Sequence, residues 1–393
     1  METVSFEKCL KEFSSSWDEH SPEPLAGLEY ENELELKNRA FEKFLKMHGI
    51  KHSPATIAAS PKSRNYRTTT KRRVYCNREG IGLGFSRPVN AGVVAESLLE
   101  PKEHQAVYIF LQKVLSDKTF SSLARALNWL IVRGDYERQF LILNFYKMDS
   151  SIVRKLKHLS EILQKEKLTV GAMTYFDPSR SDYYLETERP VKGVHIKHLF
   201  GSKLLGLKIN DILMRYSPTG FSQVNESILP HMLDLAEKML CPEENDTLLD
   251  LYCGYGLFSH TIGQKCQKVT GVELSTDAVN SAREISKRLK TEQRMKFISE
   301  KIDAAFVRDK LHEPRQRELV LLDPPRKGCE PGVISELAKR NSKRVLQIFC
   351  GTDAVPGELK LWQKNEYKIK TIQAIDMFPG TPNLETMVLL ERE

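Results

Sequence analysis

Two stretches of this chain put a reactive side chain where an apolar run gives way to glycine or proline. In KRVLQIFCGTDAV (343–355), six residues read as a buried strand, and Cys350 follows directly before Gly351. A cysteine in that place is either a small core residue, since free cysteine is among the most buried types, or a nucleophile at the rim of a parallel sheet. In RELVLLDPPRKG (317–328), a second apolar run ends at Asp323. Consecutive parallel strands would deliver both side chains to one carboxyl edge.

A third stretch, LLDLYCGYGLFS (248–259), reads as strand, tight glycine turn and helix start. Gly254 and Gly256 let the backbone approach a ligand at that edge. The next strand, VTGVE, ends in Glu273, where an open α/β sheet places a carboxylate to grip ribose hydroxyls. Asp303, after the third strand, stands where it could lie beside an adenine. A dinucleotide site would more often carry a third glycine, and here that position is Ser259. The order of glycine turn, acid and Asp-Pro-Pro looks more like a site for S-adenosylmethionine. The alternative is a glycine turn of purely structural use.

These residues need a scaffold, and the texture of the chain supplies one. With 393 residues, 40% hydrophobic and 28% charged, the sequence has room for two soluble domains. No stretch reaches the length of a membrane span. The seven cysteines are scattered without a CxxC pair, which argues against a disulfide framework, a zinc site or an iron–sulfur cluster. A net charge of +7 permits a polyanionic partner without demanding one. The start of the sequence lacks both an apolar signal core and an acid-free, Arg-rich presequence. The expected address is cytosolic or nuclear, or mitochondrial if an upstream targeting segment has been removed.

Residues 1–60 are expected to form an N-terminal helical extension, with ENELELKNRAFEKFLKMHGI as its helix and HSPATIAASPKSRNYR as a proline-punctuated loop. Residues 61–205 mix strands and helices without regular alternation, which predicts an α+β domain opened by a hairpin over Tyr66–Phe85. From 206 to 393 helix and strand alternate, and the short Val/Leu-rich strands predict a doubly wound α/β domain with a parallel, Rossmann-like sheet.

SPTGFSQVN (217–225), LLDLYCGYGLFS, VTGVE, LLDPPRKG, IFCG and DMFPGTPNLETMVLL (376–390) occur in that order. Together they resemble the RNA uracil-C5 methyltransferase family, which makes 5-methyluridine in transfer or ribosomal RNA. The resemblance implies a class I S-adenosylmethionine-dependent methyltransferase domain with an RNA-binding domain before it. It implies that Phe221 and Gln223 contact the cofactor, that Tyr252 and Gly254 line its pocket, and that Glu273 holds the ribose. Asp323 would sit close to cofactor and base, Cys350 would be the nucleophile and Glu385 the general base. In this family's sheet the strand that Glu385 begins lies beside the strand carrying Cys350.

The chemistry asks for those residue types. C5 of uracil is a poor nucleophile until a thiolate adds to C6, and a base must later remove the C5 proton so that the thiolate can leave. One departure stands out: the family's Asn-Pro after the nucleophile is Gly351-Thr352 here. The chain shows neither an iron–sulfur cysteine cluster before the hairpin nor an obvious OB-like barrel, so its plan is closer to the compact tRNA-directed enzymes. A cytosine-C5 enzyme and a catalytically silent RNA chaperone are the competing readings. Phe349 before Cys350 speaks against the first, and the missing Asn-Pro is the sole support for the second.

The basic run KSRNYRTTTKRRVYCNR (62–78) is the candidate RNA surface, with Arg64, Tyr66, Arg67, Lys71 and Arg73 as contacts. A solvated hairpin is the alternative. Cys253, Cys329 and His260 read as packing residues. Asp250 either fixes the glycine loop or meets the ligand, and Asp376 either orients a loop beside Glu385 or caps a turn. A monomer is expected.

Overall fold

In the computed structural model, residues 4–14, 17–19, 21–180, 195–314 and 317–392 are described. The chain forms two compact units, one built from Met1–Ser63 with Ser227–Glu393, the other from Arg64–Glu226.

The first unit opens with α1 (Phe6–Lys11), capped by the Ser5 hydroxyl oxygen, which accepts from Lys8 N, and α2 (Tyr30–Met47). Strand β1 (Ala55–Ala58) follows. Ala40, Phe41, Phe44 and Leu45 recur at helical spacing along α2, and all are buried. They share one core with Phe6, Val345, Trp362 and Leu390. The expected extension is therefore corrected: residues 1–63 are part of the α/β unit, because the apolar stripe of α2 finds its cover there. The expected loop at 52–67 also contains β1, which pairs in parallel with the strand at Tyr367–Ile375.

The second unit holds β2 (Thr69–Cys76), β3 (Ile81–Gly84), α3 (Lys102–Leu115), α4 (Ser121–Ala124), β4 (Leu127–Gly134), β5 (Gln139–Phe145), α5 (Ser150–Glu166), β6 (Gly171–Phe176), β7 (His195–Gly201), β8 (Leu205–Ile209) and β9 (Ile212–Tyr216). Its sheet runs β3-β2-β4-β5-β6-β7, antiparallel except for β5–β6, which α5 connects. Parallel neighbours need such a crossover. The β2–β3 hairpin turns at Asn77–Gly80, as the sequence predicts. The β8–β9 hairpin and the loop to Glu226 belong to this unit, so the division falls at 226/227 rather than at 205/206. Buried Arg133 on β4 ties down that loop, and sequence spacing does not show such a bond.

The chain then completes the first unit with α6 (Leu229–Leu240), β10 (Thr247–Leu251), α7 (Leu257–His260), β11 (Lys268–Glu273), α8 (Thr276–Leu289), β12 (Met295–Ser299), α9 (Ala304–Asp309), β13 (Glu318–Leu322), α10 (Val333–Ala338), β14 (Arg344–Phe349), α11 (Val355–Lys364), β15 (Tyr367–Ile375) and β16 (Glu385–Arg392). The sheet order is β1-β15-β16-β14-β13-β10-β11-β12, and only β16 runs against its neighbours. From β10 the chain builds outward through β11 and β12, then returns to the other side of β10 for β13. That reversal opens a crevice at the carboxyl ends of β10 and β13, where open α/β sheets bind ligands. Among the described residues, no helix is long and apolar enough to cross a membrane.

Candidate active site

Cys350 follows the last residue of β14, and Glu385 is the first residue of β16. The two strands are antiparallel and pair Phe349 with Thr386, so one step further on Cys350 and Glu385 come to the same edge. Alternation along a strand sends Phe349 and Thr386 to one face and their two neighbours to the other. Phe349 joins the buried core. Asp323 follows β13, the next strand in the sheet, and its N–H donates to Leu251 O at the end of β10.

The electrostatics show how closely these groups converge. Glu385 is fully buried, and neither carboxyl oxygen has a hydrogen-bond partner among the described residues. Burial pushes its carboxyl up, and the Arg326 guanidinium works against that rise. Asp323 is pushed well up by burial and then by the carboxyls of Glu385, Asp250 and Glu273. The Cys350 thiol is driven up to about 12 by burial and by Glu385 and Asp323, and a hydrogen bond from Arg326 opposes them. Arg326 is thus the cation that acts on both the thiol and Glu385. The sequence motif LLDPPRKG gives no role to Arg326; its place three residues after Asp323 is the one signal there.

The loop carrying Arg326 is held from below. Buried Glu358 on α11 accepts from Cys329 N at 2.5 Å and from the Gln347 side chain on β14. Gly328 has φ +83°, and a Cβ there would meet Glu358 Oε1. Gly351 lies against the same loop: a Cβ on it would stand 2.8 Å from Arg326 O. The close approach leaves no room for the larger residue that the family pattern places here. Thr352 donates from Oγ1 to Leu384 O at 3.3 Å, bonding the cysteine turn to the residue before Glu385.

On the other side of Asp323, the glycine turn has three left-handed residues in five: Tyr252 (φ +62°), Gly254 (φ +55°) and Gly256 (φ +85°). For tyrosine this backbone is strained, which is common at ligand sites. The Glu273 carboxylate accepts from Gly254 N at 3.2 Å and from Ser275 N at 2.8 Å, so it bridges the turn and the start of α8. Leu274 beside it is half exposed and offers an apolar surface. Asp250 answers its open question: fully buried, it accepts from Ser259 Oγ at 2.5 Å and fixes the loop. Asp303 caps α9 by accepting from Phe306 N at 2.8 Å, a structural use of the oxygen expected near an adenine. His260 is buried, its Nε2 3.1 Å from Ala282 O, and burial lowers it to about 4. It is structural, as read. Cys253 is buried and Cys329 half-buried, and burial raises both thiols.

The residues present fit S-adenosylmethionine. A carboxylate set at the end of the second sheet strand suits ribose hydroxyls, Leu274 gives an apolar face for adenine, and the cluster of carboxyls suits a sulfonium charge. Among the described residues, no group of three or more His, Cys, Asp or Glu is arranged to hold a metal.

In the second unit, Arg133 is buried and donates to Pro218 O, to Gly220 O at 2.7 Å and to Ser222 Oγ at 2.7 Å. The loop it braces carries Phe221, 49% exposed, and Gln223, which is buried. The basic hairpin needs two corrections. Tyr66 is fully buried, so its ring has no face for a base. Arg72, which lies within the basic run, is buried in a bidentate pair with Glu100 at 2.5 Å. Strand alternation turns Thr70 and Arg72 inward and leaves Lys71 and Arg73 half-buried over the Trp129 ring, 4.3 and 5.6 Å from its centre. Arg64 and Arg67 are also half-buried.

Comparison with known proteins decides the family. The profile of the tRNA (Uracil-5-)-methyltransferase family matches residues 190–393. The chain belongs to this family. A 23S rRNA (uracil(1939)-C(5))-methyltransferase, RlmD of Aliivibrio fischeri, is 24% identical over 370 residues, covering 94% of this chain and 79% of RlmD. An RNA methyltransferase of Fusobacterium nucleatum is 26% identical over 381 residues, covering 94% and 79%. The Pyrococcus abyssi tRNA (uracil-54, C5)-methyltransferase, solved with S-adenosyl-L-homocysteine, shares the fold with a TM-score of 0.69 at 17% identity, over 93% of this chain and 85% of that one. The protein is an S-adenosylmethionine-dependent methyltransferase of uracil C5 in RNA.

Proposed function

We propose that this enzyme makes 5-methyluridine in tRNA through a covalent bond between Cys350 and C6 of the target uracil. The observation that carries the proposal is the convergence of Cys350, Glu385 and Asp323 on the sheet edge beside the glycine turn.

S-adenosylmethionine, when bound, supplies an electrophilic methyl group on a positively charged sulfur. Glu273 would orient its ribose, Tyr252 and Gly254 would shape its pocket, and Phe221 and Gln223 are the further contacts that the family resemblance implies. The Cys350 thiolate adds to C6, and the C5=C6 electron pair becomes available at C5 to take the methyl group, whose bond to the sulfonium breaks with its electrons returning to sulfur, so that a neutral thioether, S-adenosylhomocysteine, would leave. Asp323 stands between cofactor and base. Glu385 then accepts the C5 proton, the electrons of that C–H bond restore C5=C6, and the C6–S bond breaks to return the thiolate. A carboxylate with no hydrogen-bond partner and a raised proton affinity suits the acceptor. Arg64, Arg67, Lys71 and Arg73 would meet RNA phosphates, with the target base flipped out of its stack. The family's description as tRNA-directed favours tRNA over rRNA.

The test incubates the protein with methyl-labelled S-adenosylmethionine and either tRNA or rRNA lacking 5-methyluridine, followed by nucleoside mass spectrometry. Labelled 5-methyluridine in tRNA, absent with Cys350→Ala, is expected. Product in rRNA alone overturns the substrate assignment, and full activity of Cys350→Ala overturns the covalent route.

A further inference from the structure

Glu385 makes no side-chain hydrogen bond, so its aim depends on the backbone that leads to it. That backbone is the loop from Asp376 to Leu384, which runs from the end of β15 into Glu385. One side of it is fixed by Thr352. The other is fixed by residues from the start of the chain.

Lys37 on α2 is completely buried. Its ammonium lies 2.8 Å from Glu33 Oε1, 2.8 Å from Asp376 Oδ1 and 3.3 Å from Phe378 O. Tyr30 OH donates to Asp376 Oδ2 at 3.1 Å and accepts from Ser60 N at 2.7 Å. Gly380 N donates to Glu33 Oε1 at 2.5 Å, and Leu25 N donates to Gly380 O at 3.1 Å. Every one of these bonds joins residues 25–60 to each other or to the loop at 376–380. An ammonium and two carboxylates at zero exposure are a costly way to gain stability, since apolar side chains of similar volume often serve as well or better. Directional bonds gain something that apolar packing does not, a single backbone path.

We infer that Lys37, with Glu33, Tyr30 and Asp376, is a positioning device for proton removal at C5. It sets the loop that delivers Glu385 to the base. The inference rests on the reading of Cys350 as nucleophile and Glu385 as base. Its signature is step-specific: with Glu385 displaced, cysteine addition and methylation go on, while elimination slows and the methylated covalent adduct accumulates.

The experiment measures the SDS-stable protein–RNA adduct carrying labelled methyl during turnover, with thermal unfolding recorded for each variant. Glu385→Gln is the trapping control. Tyr30→Phe removes the two hydrogen bonds of the hydroxyl, to Asp376 and from Ser60 N, while Lys37 still pairs with Asp376, and Lys37→Met removes the hub. For Tyr30→Phe, and for Lys37→Met if it folds, the adduct fraction should rise several-fold, with kcat down about tenfold and KM for S-adenosylmethionine unchanged. Should Lys37→Met unfold, Tyr30→Phe alone decides. Folded variants with wild-type adduct levels, beside a trapping Glu385→Gln, overturn the inference alone. No adduct with Glu385→Gln overturns the reading of Glu385 as base, and the inference with it.

Discussion

Cys350 and Glu385 stand at adjoining ends of an antiparallel strand pair, one step past the Phe349–Thr386 pairing, with the Arg326 guanidinium acting on both. Arg326 is therefore the group that makes the thiol easier to ionise. Arg326→Gln should slow methyl transfer by about 10- to 100-fold, and by the same factor at pH 7 as at pH 9, because both values lie well below the range in which the thiol ionises. Alkylation of Cys350 by iodoacetamide should rise with pH from 7 to 10 without a plateau in wild type, because burial and two carboxyls drive the thiol up to about 12. It should be slower still in the variant. Equal alkylation rates in the two proteins would remove Arg326 from this role.

The close approach at Gly351 gives a second expectation. Gly351→Ala places a methyl group 2.8 Å from the Arg326 carbonyl, so the backbone must shift by some tenths of an ångström. Activity should drop by about tenfold while the thermal midpoint changes little, since misplacing a reacting group costs rate out of proportion to stability. A fully active Gly351→Ala would mean that the Asp-Pro-Pro loop is free to move.

Glu273 bridges the glycine turn and the start of α8, and on the proposed reading it holds the ribose. Glu273→Ala should weaken S-adenosylmethionine binding by about tenfold or more, measured by calorimetry, because charge-assisted hydrogen bonds contribute roughly 1.5–3 kcal/mol. Wild-type affinity would place the ribose elsewhere.

Asp250 predicts a pH dependence of stability. Burial raises its carboxyl from 3.8 to about 7, so between those values the folded protein holds a proton that the unfolded chain releases. Stability from this group is therefore highest at low pH and is lost as pH rises towards 7, by at most about 1.4 kcal/mol per pH unit. Relative to Asp250→Asn, the wild type should lose stability from about pH 4 to 7 and then level off. Denaturant titrations across that range check it, and a difference that grows with pH in wild type's favour would contradict it.

Much of the α/β half is legible in the sequence because each buried parallel strand is a short apolar run ending at a residue with chemistry: Tyr252, Glu273, Asp323, Cys350. The rest depends on partners far away along the chain. Ala55–Ala58 looks like part of a proline-flanked loop and becomes a strand only by pairing with β15. The 62–78 run looks uniformly basic, yet strand alternation buries Arg72 on Glu100, and Tyr66 is buried as well. Glu358 gives no sign in its helix that it holds the loop carrying Arg326. Lys37 sits in a charge-rich helix where a solvated face is the ordinary expectation, and only the distant Asp376 explains its burial.

The pairing of β1 with β15 also has a cost during synthesis. The whole second unit is translated between the two strands, and so is most of the sheet that α1 and α2 cover. At about 5–20 residues per second, the aromatic stripe of α2 waits on the order of tens of seconds for its partners to leave the ribosome. During that interval Phe41 and Phe44 are exposed bait for aggregation or for a holding chaperone. Assembly of the catalytic edge then waits until β15 and β16 have both been made.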